Sequence, residues 1–268
     1  MSKFKLTEAQ VKQYHEDGYV ILENFLDKEE IDLLLNIGKK DKELAARAQE
    51  VKDAKKASTR LSLGWSLEDD IYSALARCER LVVPVEQLLG SKALFYHYKM
   101  TLKEPRVGGA WEWHQDYGYW YYYGFLTPDM ISCWLAVDRA TKENGCMQVI
   151  KKSHLLGRVD HLMQDGQMGA DLKRVEMSMK HLKMEKIYCE MEPGSMLIFH
   201  CNLFHRSDQN LSDHSRWSLI TCYTADFNVS FTPEEPNAKT TPIDVLPNSG
   251  IKDVGRKHWE RIQEYQMA

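Results

Sequence analysis

The chain has 268 residues, 43% hydrophobic and 28% charged, enough to bury a substantial core as one large domain or two small ones. Its formal charge of -4, from 35 basic and 39 acidic residues with no long like-charge block, argues against nucleic acid or a membrane surface as partner. Six scattered cysteines without a C-x-x-C pair, no apolar leader, no membrane-length stretch and a C-terminal YQMA that is not a peroxisomal address predict a cytoplasmic protein with reduced, buried thiols.

Thr7 and Gln10 have capping-box spacing, with Leu6 and Val11 placed as a staple, so a helix is predicted from residue 8 until Gly18 stops it. YVILENF then reads as a short strand, and Asp27 with Glu30 repeats the capping box ahead of a second helix, IDLLLNIGKK. Residues 40–60 are charged and lack bulky apolar anchors, which predicts a solvated helix or a mobile loop. From Ser66 onward Ile71, Ala74, Leu75, Cys78, Leu81 and Val82 recur at helical spacing, with Pro84 breaking or restarting the helix before Gly90.

After residue 92 the period changes from helical to alternating. ALFYHYKMTL, MISCWLAV, CMQVI, KIYCEM, SMLIFH and WSLITCYT are short β-rich runs separated by turn signals such as Asn144-Gly145 and Pro193-Gly194. Helices first and many short strands afterward predict a mainly β fold, a barrel or jelly roll buttressed by N-terminal helices. The Pro-rich, polar tail FTPEEPNAKTTPIDVLPNSGIKDVG is expected to be irregular, either lying over a barrel mouth or wrapping the surface. The expected layout of the single domain, 1–268, is a helical part over about 1–90, a core over about 92–226 and a C-terminal wrap or lid over 227–268.

Within GAWEWHQDYGYWYYYGF, His114 and Asp116 lie two apart, so in an extended chain they project to one side while Gln115 points away. H-x-D alone is also what a polar interruption of a strand gives. The stretch from Gly194 to Thr224 adds a distant histidine, with His205 and His200 as competitors, and Arg216 on the next strand. Two histidines and one carboxylate leave three positions of an octahedral iron open, which suits a bidentate 2-oxo acid and O2. The far carboxylate of such a co-substrate calls for a planar, permanent cation, and Arg216 offers one. His97, Lys99, Thr101 and Lys103 share one strand face, which is either solvated or lines the cavity.

On WHQDYGYW, NGCMQVIKKSH, PGSMLIFHCNLFHRSDQN and Arg216 eleven residues beyond His205, the chain resembles the phytanoyl-CoA dioxygenase family from about Val11 to Ala225. The resemblance implies a double-stranded β-helix (jelly roll) and Fe(II), 2-oxoglutarate and O2 as cofactor and co-substrates. It makes His114, Asp116 and His205 the iron ligands and Arg216 the 2-oxoglutarate anchor. It adds Ser207 at the same carboxylate, and Thr101 and Trp111 as co-substrate-lining positions; apart from the resemblance, the face shared by residues 97–103, if it lines the cavity, brings Lys99 or Thr101 to 2-oxoglutarate. His200 and His154 become core or supporting histidines. Arg206 stands where relatives usually have glycine, a departure that bears on the turn after His205.

The implied activity is hydroxylation of an unactivated C–H bond of a small-molecule metabolite, with succinate and CO2 as co-products. Asp116 favours this over halogenation, which needs the carboxylate position vacated. Tyr117, Tyr119, Trp120 and Trp134 are either packing residues or a substrate wall. A non-catalytic jelly-roll binding protein, a zinc hydrolase on the same ligands and an acyl-CoA hydroxylase are the rivals. For the last, Lys151, Lys152 and Arg158 are the nearest basic residues for CoA phosphates, and a small polar or amine-bearing metabolite is the favoured substrate. Nothing in the sequence marks an oligomer interface.

Overall fold

The computed structural model describes residues 3–164, 166–232 and 234–267; Pro233 of the tail and Ala268 of the terminal YQMA lie outside them. Both capping boxes form. Thr7 caps α1 (Glu8–Asp17), which Gly18 ends in the left-handed conformation at φ 86°, and Asp27 caps α2 (Lys28–Lys40). Between them β1 (Tyr19–Leu22) is the expected short strand.

Residues 40–60 include the expected solvated helix but are not otherwise a loop, because two strands follow it. They form α3 (Lys42–Arg47), β2 (Gln49–Lys52) and the start of β3 (Ser58–Gly64), and Leu44 is the buried anchor that the charge density hid. The helical stretch that follows divides at Cys78, not at Pro84, into α4 (Ile71–Arg77) and α5 (Glu79–Leu89). Pro84 removes one helical donor inside α5, and burial of Leu81, Val85 and Leu88 outweighs that loss.

The six β-rich runs are strands: β4 (Ala93–Lys103), β6 (Met130–Ala136), β7 (Met147–Ile150), β10 (Lys186–Cys189), β11 (Met196–His200) and β13 (Arg216–Ala225). Gly145 and Gly194 take positive φ in the turns before β7 and β11. Further elements complete the fold: β5 (Trp111–His114), α6 (Asp116–Trp120), the hairpin β8 (His161–Gln164) and β9 (Gln167–Ala170), α7 (Leu172–His181), β12 (His205–Ser207) and β14 (Thr241–Pro242). The C-terminal wrap is not irregular throughout, because α8 (Gly250–Met267) packs against α2 and α4. Its register was masked by the Pro-rich stretch before it.

Among the described residues the larger sheet has eight strands, in the order β1-β11-β6-β13-β4-β3-β2 with β14 also on β4, and the smaller runs β10-β7-β12-β5. All pairings between named strands are antiparallel. The two sheets face each other as a jelly roll, the large one drawing strands from both sides of the 92–226 stretch. Its outer face carries Tyr98, Met100, Leu102, Leu135 and Leu219 against Leu34, Ile37, Leu75 and Val85 of the helices. Its inner face meets Met147, Val149 and Cys189 of the smaller sheet through Trp134, Leu197 and Phe199.

One irregularity shapes the interior. Cys222 pairs with His97 and Tyr223 with Phe95, so Tyr96 is an extra residue in β4. The bulge turns Tyr96 and His97 together to the inner side while Phe95 and Tyr98 both join the outer core.

Candidate active site

β5 ends at His114 and α6 begins at Asp116, so the two do not lie on one continuous strand as expected. The chain is still extended at Gln115, with φ −117° and ψ 135°, and the alternation therefore holds through Asp116. Gln115 points away and is wholly buried. Its amide donates to the carbonyls of Gly157 at 2.8 Å and Asn202 at 2.7 Å, its side-chain oxygen accepts from Val159 N at 2.7 Å, and its backbone N–H donates to His161 Nε2 at 3.0 Å. Gly118 is required one turn on, because a Cβ there would meet the His161 ring at 1.9 Å.

β12 pairs with β5 so that His205 lies opposite His114. Among the described residues, His114, Asp116 and His205 form the one cluster able to hold a metal, with a ligand atom of each within 4.8 Å of the others. His114 Nδ1 lies 2.7 Å from the Glu112 carbonyl and His205 Nδ1 2.9 Å from that of Leu203. Those contacts fix the tautomer and leave each Nε2 as the lone-pair donor. Ser132 of β6 donates to Asp116 Oδ2 at 2.5 Å, leaving Oδ1 toward His205 Nε2 at 3.9 Å and Lys99 Nζ at 3.5 Å.

Electrostatics suit a cation. Burial pushes both imidazoles down from their ordinary range, and the mutual proximity of the two lowers His114 further, so both are neutral ligands. Burial opposes ionisation of Asp116, but Lys99, His205, His114 and Ser132 together hold it well below the usual carboxylate range. Two neutral imidazoles and one carboxylate with open positions are the donor set of a non-haem Fe(II) centre.

The cluster opens into a small cavity of about 50 Å³. Lys99, Thr101, Lys103, Trp111, Trp134, Ser207 and Arg216 line it. Lys103 pairs with Arg216 across the β4–β13 ladder, Thr101 with Ser218 and Lys99 with Ile220. Arg216 donates to Ser218 Oγ at 2.8 Å and Thr101 Oγ1 at 3.3 Å, lies 5.5 Å over the Trp134 ring, and has its buried Nε without a partner. Lys103 Nζ donates to Ser207 Oγ at 2.8 Å and to the Asp208 carbonyl. Burial lowers Arg216 to about 10; burial and then Arg216 lower Lys103 well below the usual lysine range. Two buried cations and an orphaned guanidinium N–H fit a carboxylate, so the residues present match a 2-oxo dicarboxylate reaching from the metal to Arg216.

The row on β4 is thus interior and not solvated, with His97, Thr101 and Lys103 buried. The aromatic residues after Asp116 occupy α6 and a 3-10 turn, Tyr121–Tyr123, instead of a strand. Tyr117 is buried with its hydroxyl on the Phe125 carbonyl, Trp120 packs edge-on to Tyr96 at 5.4 Å, and Tyr119 sits 5.7 Å from the His114 ring. Trp134 lies on the cavity wall and those three lie outside it.

His200 accepts from Asn202 N at 3.0 Å and lies 5.3 Å from His154, whose Nε2 is 3.0 Å from the His15 carbonyl. Neither histidine belongs to the metal cluster. Arg206 lies on β12, pairs with Asp208 at 2.7 Å and covers Trp113, so a side chain is accommodated after His205. Lys151 is paired with Asp17 at 3.0 Å and Arg158 with Asp160 at 2.9 Å. Lys103 was missed as an anion ligand although its place four residues beyond Lys99 put it on the same face. Ser132 was missed too, and its signal was a lone hydroxyl within the apolar run MISCWLA.

The family model described as phytanoyl-CoA dioxygenase (PhyH) matches residues 14–218. L-proline trans-4-hydroxylase of Streptomyces griseoviridis is 28% identical over 193 residues, 65% of this chain and 72% of that one. Ectoine dioxygenase of Bordetella bronchiseptica is 24% identical over 268 residues, 93% of this chain and 85% of that one. Among solved structures, EctD from S. alaskensis with 2-oxoglutarate and 5-hydroxyectoine superposes with a TM-score of 0.74 at 19% identity, over 90% of this chain and 88% of that one. The carbocyclase SnoK from nogalamycin biosynthesis gives 0.67 at 17%, over 90% and 94%.

Proposed function

From its membership of the phytanoyl-CoA dioxygenase family, an Fe(II)- and 2-oxoglutarate-dependent group of oxygenases, we propose that this chain hydroxylates a small-molecule metabolite at an unactivated C–H bond. The observation that carries the reading is the His114–Asp116–His205 cluster inside a cavity whose far end holds Arg216.

In this reading His114 and His205 offer Nε2 and Asp116 offers Oδ1 to iron. Arg216, Lys103 and Ser207 bind the distal carboxylate of 2-oxoglutarate, and Thr101 orients Arg216 through Ser218. Iron with 2-oxoglutarate and O2 supplies the oxidant for the C–H bond, releasing succinate and CO2. Trp111 and Trp134 wall the cavity and keep water from the reacting carbon. Ser132 holds Asp116 by one oxygen, which favours a single-oxygen donor geometry.

The relatives named for proline and ectoine support a small substrate over a CoA thioester, as does the engagement of Lys151 and Arg158 by carboxylates. Six buried, unpaired cysteines support residence in a reducing compartment such as the cytoplasm. Among the described residues no helix is long and apolar enough to cross a membrane.

The test is succinate release from 2-oxoglutarate by purified protein with Fe(II) and O2, beside His114→Ala and anaerobic controls. Release that both controls abolish is expected. Protein that binds neither iron nor 2-oxoglutarate would defeat the reading and leave the non-catalytic binding protein in its place.

A further inference from the structure

The cavity has more cationic groups than its co-substrate uses. Lys99, Lys103, Arg206 and Arg216 line it, and Asp116 is the one acidic side chain among its described lining residues. Lys103 and Arg216 face each other at one end. Lys99 stands four residues back along β4, roughly 13 Å at about 3.3 Å per residue. It is therefore at the metal end, with Asp116 Oδ1 at 3.5 Å as its one ion-pair partner among the described residues. Oδ1 is also the atom turned toward His205, and a carboxylate that gives this oxygen to a metal returns less charge to the ammonium.

Beside Lys99 lies a second unfilled valence. The bulge at Tyr96 turns His97 inward, where its ring packs 5.0 Å from Trp65, 4.5 Å from Tyr96 and 6.0 Å from Trp120. Its Nδ1 is buried with no hydrogen-bond partner among the described residues.

We propose that Lys99, on the cavity wall at the metal end, recognises an anionic group, a carboxylate or phosphate, on the prime substrate. This rests on the oxygenase reading and narrows its substrate to small acids, amino acids included. Lys99 is here a substrate residue instead of part of the 2-oxoglutarate site.

The test is calorimetric titration, without O2, of protein loaded with Mn(II) and 2-oxoglutarate. The probes are matched pairs of small acids and their primary amides, L-proline with L-prolinamide among them, plus simple phosphomonoesters. Anions are expected to bind and amides not to; acid or ester hits identify the source of the charge. Lys99→Met should weaken the bound anion by at least about tenfold, as loss of a buried charge partner does, with Lys99→Arg recovering part of it and 2-oxoglutarate affinity holding within about threefold. Amides binding as well as acids would overturn the inference, as would a Lys99→Met loss equally large for 2-oxoglutarate, or no anion binding by protein that takes up 2-oxoglutarate. Protein that takes up no 2-oxoglutarate would instead fail the oxygenase reading, and this inference with it.

Discussion

The two faces of β4 differ as sharply as any two regions of the molecule. Tyr98, Met100 and Leu102 point outward into the helix-covered core, while His97, Lys99, Thr101 and Lys103 point inward. The outer face buries apolar area and stabilises the fold. The inner face buries Lys103 and the unpaired imidazole of His97, both of which weaken the fold, and leaves Lys99 partly exposed beside Asp116. One strand thus separates stability from chemistry by the alternation of its side chains.

The largest break in that comparison should come from Asp116→Ala. Succinate release should drop to background, and the melting temperature of the metal-free protein should fall as well, because the substitution leaves Lys99 and the Ser132 hydroxyl without their buried partner. On the other face, Met100→Ala should cost about 2–5 kcal/mol in urea unfolding, yet the molecules that remain folded should keep their affinity for 2-oxoglutarate. Arg216→Lys loses the planar fork and should weaken 2-oxoglutarate binding by roughly 10–100-fold. Lys103→Met should do likewise while making the metal-free protein more stable by about 1 kcal/mol, since a buried ammonium is lost.

The smallest effect is on pH. Burial lowers His97 from 6.5 to about 3 and His200 to about 4, so the unfolded chain takes up protons below pH 6.5 that the folded one refuses. Their contribution is complete above pH 6.5 and is lost as pH falls toward 4 and 3, at roughly 1 kcal/mol per unit for each residue. Urea unfolding between pH 7.5 and 5.5 should show the slope, and His97→Leu should reduce it.

How far the sequence discloses these faces follows from the same physics. The capping boxes and the six β-rich runs are local patterns, and the structure contains them. Elements whose stability comes from distant partners are not legible in this way. The β2–β3 hairpin has one buried anchor nearby in Leu44, and α8 makes sense only once α2 and α4 are beside it. At the site, His-x-Asp and the later histidine with arginine are visible as spacing. The meeting of Lys103 with Arg216 and Ser207 depends on strand register, and Ser132 meets Asp116 across 16 residues of chain, a contact no local pattern announces.

Gln115 appears in the sequence as a mere spacer between two ligands, yet its side chain ties the ligand strand to Gly157, Val159 and Asn202. Its consequence is one of timing. The rails that hold His114 and Asp116 apart are fastened before any ion arrives, so chelation should empty the centre without slackening it. Iron returned to stripped protein should restore activity at the speed of mixing, and Gln115→Ala should turn that recovery into a slow phase.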